Sequence, residues 1–403
     1  MRKFYLAISC LVVVISCLVV LILLEILKVY FIMPFPGSQQ YETLPFAYFL
    51  HRNILWFRLA GWLLLIVSLI PLFNLKKLVP TIITVVLILL YAIVFYLFNF
   101  KYLADKIFYQ PTYTKFTSAD KDTTNKSNLI IGIEVNGQAK AYPIQLIGYH
   151  HQIRDSIGGK PVLVTYCTVC RTGRVYSPVL DGKPETFRLV GMDHFNAMFE
   201  DQTTKSWWRQ VNGKCIAGSR KGMQLETLAS DQMTLGDWIA AHPNTLILQP
   251  DSSFKPRYKS LAGYDEGNVK SALEKKDSLS WKKKSWVIGI EINHQSKAYD
   301  WNDILASTII SDSLNGKAVL LTLEPNHKTF YVLDRQLDGN ILQFSFNPNT
   351  GKIEDTATHS QWQADGTCIA GNLKGKQLNR IQAYQEFWHS WSYFHENTSR
   401  YVR

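Results

Sequence analysis

The sequence predicts an α+β protein, mostly β, in which a three-helix transmembrane anchor precedes two tandem β-rich repeats, the second degenerate. Three observations predict it. Long uncharged apolar runs are confined to the first 100 or so residues, as membrane spans require. A strand–turn–strand phrase at Ile131 to Tyr142 returns at Ile288 to Tyr299, 157 positions on. Between and after these phrases the chain alternates short β-branched and aromatic runs with Gly-rich turns, and one helical stretch closes each copy.

Size and composition bound the rest. With 403 residues, 47% of them hydrophobic and 13% aromatic, the chain is too apolar to be disordered and long enough for two or three domains. The formal net charge is +11, but Lys and Arg alternate with acids. No basic stripe with aromatic platforms appears, which argues against a nucleic-acid partner. Adsorption to anionic lipid beside the anchor is the expected use of the charge. Six cysteines are too few for a disulfide scaffold, and Cys10 and Cys17 fall in the first apolar run.

The anchor is expected over 1–104, with spans at about 6–32, 54–75 and 78–100. Val14-Ile15-Ser16-Cys17 looks like a lipoprotein box, but the apolar run continues past Cys17, so the segment reads as uncleaved. Arg58 is expected to snorkel from one span end, and Pro71 and Pro80 sit near other ends. Arg2, Lys3, Lys76 and Lys77 belong on the cytoplasmic side, and three spans then send everything later outside. The expected location is the cytoplasmic (inner) membrane, multi-pass, with the soluble region in an oxidising, extracytoplasmic compartment. Glu25 and Lys28 fall only at a span end, which gives no sign of an ion pathway.

The first repeat is expected over 105–250, a polar linker over 251–285 and the second repeat over 286–403. Asp155-Ser156 and Leu180-Asp181-Gly182 match Asp312-Ser313 and Leu337-Asp338-Gly339; further on the phase drops by four, so that Cys215-Ile216-Ala217-Gly218 matches Cys368-Ile369-Ala370-Gly371. The missing residues fall around Val190 to Met198. Trp238 and His242 match Trp391 and His395, and such shared residues read as fold-holding; Cys215 and Cys368 read as buried small hydrophobes. What the copies do not share is chemistry. Cys167 and Cys170 face Glu324 and His327, and His150 and His151 face Ser307 and Thr308.

Cys167-Thr168-Val169-Cys170 lies between two β-branched runs and so reads as the turn of a β-hairpin, where two thiols converge. The expected site is a soft-metal one for zinc or copper, with Cys167, Cys170, His150 and His194 as ligands and His151 and Met192 as lesser candidates. Two alternatives stay open. The pair could exchange disulfides, with Arg171 and a nearby His stabilising a thiolate. It could instead staple a turn in a non-enzymatic ligand-binding or interaction module. Asp193, Glu200 and Asp201 offer carboxylates for acid–base work, but acids in a loop are usually solvated. No Ser-His-Asp order, P-loop or dinucleotide glycine motif occurs, so no nucleotide cofactor is expected.

The phrases GIEVNGQAKAYP, HHQIRDSIGGKPVLVTYCTVCRTG and MDHFNAMFEDQTTKSWWRQVNGKCIAG, in that order, resemble the bacterial domain-of-unknown-function family 3179 from about residue 110 to the C-terminus. The resemblance implies His150, Cys167 and Cys170 as the polar signature. This chain departs from it with Thr168 where Pro is usual, Arg171 where Gly is common and Cys215 where a small or acidic residue is expected. The anchor is not a general part of the family pattern. The resemblance implies the fold unit and no activity.

Overall fold

The computed structural model describes residues 2–74, 77–264, 281–282 and 284–403. Residues 265–280 of the expected linker, and Lys76 of the orientation argument, lie outside the described residues. The chain forms two compact units. One holds Met1–Tyr109, Thr186–Arg209 and Lys214–Met223; the other holds Gln110–Glu185, Gln210–Gly213 and Gln224–Arg403.

In the first unit, three helices, α1 (Arg2–Tyr30), α2 (Leu44–Asn74) and α3 (Leu78–Tyr96), are long and apolar enough to cross a membrane. A π-helical turn, Leu97–Lys101, continues the third. Val14, Leu18 and Leu21 pack against Leu65, Leu72 and Tyr91 between the helices, while Leu63, Leu64 and Ile93 are exposed.

Arg58 does not snorkel. Its guanidinium donates to Glu25 at 2.6 and 2.8 Å, and Lys28 lies 3.0 Å from the same carboxylate. Asn99, brought inward by the π-helical turn, donates to Glu25 at 2.9 Å. Glu25 is wholly buried, so a carboxylate and a guanidinium on facing apolar helices satisfy each other rather than leave one charge alone.

The second helix also starts ten residues before the expected span, at Leu44 rather than 54. Its opening, LPFAYFLHRN, is too mixed to look like a span because one side of it is committed to protein. Tyr48 meets Trp207 edge-on at 4.9 Å, and His51 Nε2 lies 3.3 Å from Glu200. Glu200 and Trp207 belong to a four-stranded antiparallel sheet of Phe187–Asp193, Asn196–Asp201, Trp207–Arg209 and Cys215–Ala217. Met192 N donates to Ile32 O at 2.7 Å, and a Cβ on Gly191 would stand 2.4 Å from that same oxygen, so only glycine admits this approach.

The second unit is β-rich. Leu129–Val135 and Gln138–Pro143 form the expected hairpin around Asn136-Gly137, flanked by Asp231–Thr234 on one side and a parallel Leu246–Leu248 on the other. Later in the chain Trp286–Ile292 and Gln295–Asp300 are flanked in the same order by Ala383–Phe387 and a parallel Ser399–Arg400. A second, three-stranded sheet follows each hairpin: Gln152–Ile157, Lys160–Cys167 and Thr172–Tyr176, then Ile309–Leu314, Lys317–Leu323 and Phe330–Asp334.

Paired contacts recur. Trp238 Nε1 donates to Thr245 Oγ1 at 2.8 Å and Trp391 Nε1 to Thr398 Oγ1 at 2.8 Å. Tyr142 donates to Asp155 at 2.5 Å and Tyr299 to Asp312 at 3.0 Å. One apolar core takes residues from both halves, with Ile130, Trp238 and Ile247 packed with Leu320, Leu333 and Trp362. The helix expected near Leu235 to Ala241 forms over those residues, capped by Thr234 accepting from Asp237 N. The helix expected from Tyr384 starts only at Trp388, because pairing with Trp286–Ile292 holds Ala383–Phe387 extended.

Candidate functional site

The C-x-x-C is the turn of a hairpin, as its flanks predict: Cys167 is the last paired residue of one strand and faces Thr172 on the next. Arg171 completes the turn at φ +58°, a left-handed conformation that glycine adopts freely and other residues only at a cost of about 1 kcal/mol or more. Its guanidinium lies 3.8 Å from the ring centroid of Trp286, a cation–π contact that offsets the strain. Below the turn, Thr172 donates to Gln210 Oε1 at 2.6 Å, and the Gln210 amide donates to Thr165 at 2.9 Å. Tyr264 OH donates to Thr168 O at 2.6 Å. The turn is held from several sides.

Both thiols are 0% exposed. Burial raises the Cys170 thiol well above its usual value, and the adjacent Cys167 thiol pushes the same way, as does the Glu386 carboxylate; a hydrogen bond with Ser390 offsets part of this. Glu386 is fully buried, which raises its own pKa, and it accepts from Arg174 at 3.1 Å and from Ser390 at 3.2 Å. His389 Nε2 stands 3.9 Å from Cys170 Sγ, its ring stacked on Phe387. Phe387 N donates to Cys170 O at 3.0 Å, so the strand-to-helix junction around Glu386, His389 and Ser390 is tied to the thiol turn by its own backbone.

These three residues come from the far end of the sequence and were not among the expected ligands. A signal existed: in the alignment that pairs Trp238 with Trp391, His389 falls opposite Gly236 and Ser390 opposite Asp237. What the signal lacked was the cross-half packing that gives it meaning.

The expected histidines are engaged elsewhere. His150 Nε2 is 2.6 Å from Tyr258 OH, and His151 Nδ1 is 3.2 Å from Tyr149 O, with burial lowering the His151 pKa to about 4. His194 and Met192 belong to the other unit. There His194 Nδ1 lies 2.7 Å from Asp193, whose other oxygen accepts from Arg209, and Met192 is buried in its strand. Asp193, Glu200 and Asp201 are not solvated loop acids. All three are buried and paired; Glu200, held by His51, Arg188 and Trp207 against the cost of burial, has a pKa lowered to about 2. Among the described residues, no three His, Cys, Asp or Glu side chains converge closely enough to hold a metal ion between them.

The matching corner of the second half differs. Glu324, which the 157-residue offset of the sequence sets opposite Cys167, borders an open cavity of about 680 Å³ together with Asp237 and Asp365. Burial raises the Glu324 pKa to about 7, and those two acids add to the rise. A second cavity of about 490 Å³ has Glu134, Asp231, His242 and Arg380 in its walls.

A family model described as a protein of unknown function, DUF3179, matches residues 107–398 of this chain. No curated protein and no solved structure was found to match.

Proposed function

The chain belongs to the DUF3179 family of proteins of unknown function, and for this member we propose a membrane-anchored protein that binds a soft metal ion, copper(I), between Cys167 and Cys170. Its soluble part is a tandem duplication with the thiols in the first copy, carried on the outer face of the membrane by three spans. The recurring hairpins, indole–threonine bonds and core that draws on both halves support the duplication.

One observation carries the metal reading: two adjacent thiols, wholly buried, at a turn held from several sides, with the His389 imidazole 3.9 Å from one of them. A structural zinc site wants four protein ligands. Two thiolates with at most one nitrogen are the donor set of a soft monovalent ion, which needs fewer. The complete burial of both sulfurs disfavours disulfide exchange, which needs an open approach for the partner thiol.

The strands from Phe187 to Ala217 group with the membrane helices, so the full chain in detergent is the material to use. Purified without reductant and loaded anaerobically with copper(I) under a chelating competitor, it should take up one equivalent, and a Cys167→Ser/Cys170→Ser variant should take up none. One equivalent of zinc in preference to copper would overturn the choice of ion. No metal, with a disulfide that reduces readily, would replace the reading by thiol exchange. A disulfide that resists reduction until the protein unfolds would make the pair a staple.

A further inference from the structure

We infer that the cavity of about 680 Å³ beside Glu324 is a binding site for a small organic cation, a primary ammonium group carried on an apolar body. The thiols have no part in it, so it stands or falls separately from the copper(I) reading.

The charge of the wall is one-sided. Glu324, Asp237 and Asp365 all line the cavity, and each is half-buried. Glu324 follows the strand Lys317–Leu323, Asp237 lies in the first turn of the Leu235–Ala241 helix, and Asp365 sits between Gln361–Trp362 and Cys368–Ala370. The donors that reach the two aspartates are neutral: Asp237 accepts from Thr234 Oγ1 at 2.8 Å and from Asn326 Nδ2 at 2.6 Å, and Asp365 accepts from Thr367 N at 2.8 Å. Among the described residues the Glu324 side chain accepts no hydrogen bond, and no Lys or Arg forms an ion pair with any of the three. Lys352 shares the wall but is exposed and paired with none of them. Glu324 therefore loses hydration with no donor to replace it. Burial first, and then the two neighbouring acids, raise its pKa to about 7.

Tyr331 is the second, independent observation. It lines the same cavity, is only 6% exposed, and its hydroxyl has no hydrogen-bond partner among the described residues. Buried polar groups are nearly always bonded, so an idle hydroxyl in a cavity wall marks a place that a ligand completes. Burial raises the Tyr331 pKa, the Arg380 guanidinium 4.6 Å over its ring opposes this, and Glu324, Asp237 and Asp365 raise it again. All three acids thus reach the hydroxyl across the cavity they line.

The rest of the lining selects the body of the ligand. Phe346 and Trp362 stand in the wall, and Trp362 Nε1 donates to Asp355 at 3.1 Å, so its polar edge is taken and its ring is left for contact. Aromatic faces attract an organic cation as well as its apolar part. A metal ion suits the site less, because among the described residues the acids do not gather closely enough to coordinate one. The volume falls among those of small-molecule sites, about 300–1,000 Å³. A primary ammonium group brings N–H donors and one positive charge. One N–H bonds the Glu324 carboxylate, another bonds the Tyr331 oxygen, and the charge offsets Asp237 and Asp365. A quaternary ammonium has no such donors and leaves both idle groups unmet.

The test uses the full chain in detergent, with 2-phenylethylammonium as probe and 2-phenylethanol as its uncharged counterpart, followed by titration calorimetry at pH 8. One equivalent of the amine should bind saturably, and the alcohol should bind at least roughly tenfold more weakly. Glu324→Gln keeps the shape and removes the charge, and should weaken the amine by roughly tenfold or more; Tyr331→Phe should weaken it by roughly fivefold or more. Glu134→Gln, in the wall of the other cavity, and Cys167→Ser/Cys170→Ser should bind as wild type does. Wild-type affinity should also rise from pH 6 to pH 8 as Glu324 ionises, and that rise should vanish in Glu324→Gln, where Asp237, Asp365, Tyr331 and Lys352 are unchanged. No saturable binding of the amine, equal binding of the alcohol, or unchanged affinity in Glu324→Gln would overturn the site. Loss of binding in the thiol variant would move the probe to the thiol turn and overturn it as well. If Tyr331→Phe unfolds early, Glu324→Gln decides, since a neutral amide there relieves a buried charge.

Discussion

Gly132 and Gly289 lie flat against an indole, and that contact accounts for much of what recurs along the chain. A Cβ on Gly132 would stand 2.4 Å from Trp238, and one on Gly289 would stand 2.2 Å from Trp391. Both tryptophans are essentially fully buried, so neither ring can retreat. Gly132→Ala should therefore destabilise the protein by about 1–3 kcal/mol through overpacking. Gly182→Ala, in an exposed turn with open space around it, is the comparison that separates crowding from backbone strain. Urea unfolding of the two variants in detergent measures the difference, and equal losses would remove the crowding explanation. At this scale the sequence was partly legible. The thiol turn, the buried Cys215 and Cys368 and the fold-holding tryptophans could be read from local pattern. The partner of the thiols could not, because His389 lies 219 positions from Cys170 and only packing between halves joins them.

Among the elements, the helices depart most from their one-dimensional reading. A hydropathy run finds apolar length, and it found all three helices. It is blind to pairs of charges that cancel across a bundle, which is why Arg58 reads as a snorkelling end residue while its guanidinium is bonded to Glu25. It also stops where a helix turns to protein contacts, as α2 does around Tyr48 and His51. Glu25→Leu should leave Arg58 and Lys28 without their carboxylate and cost about 3 kcal/mol or more, as broken buried pairs do. Glu25→Leu with Arg58→Leu should recover most of that loss. Thermal unfolding in detergent follows both variants. A single variant as stable as wild type would mean that the cluster does not hold the helices together.

For the whole molecule, the repeated phrase reads as two like halves; the two hairpins it marks have neighbours in the same order, while the first sheet carries an additional strand, Phe116–Ser118. The grouping of Thr186–Arg209 and Lys214–Met223 with the helices had no sequence signal, since each segment reads only as a short strand or turn. The proposed orientation belongs to this scale as well. With Arg2, Lys3 and Lys77 inside, an alkaline phosphatase reporter fused after Gln110 should be active, as it is only in an oxidising compartment. An inactive but stable fusion would put the soluble part in the cytoplasm and remove the oxidising compartment from the argument. The backbone bond between Phe387 and the thiol turn has a consequence for how such a chain can change. The segment that begins at Phe387 and the thiol turn share one backbone bond, so substitutions in either are filtered by the other. The second half, which has Glu324 and His327 where the first has its thiols, is thereby kept from drifting freely, and a frameshift or early stop that removes Phe387 acts at once as a lesion at position 170.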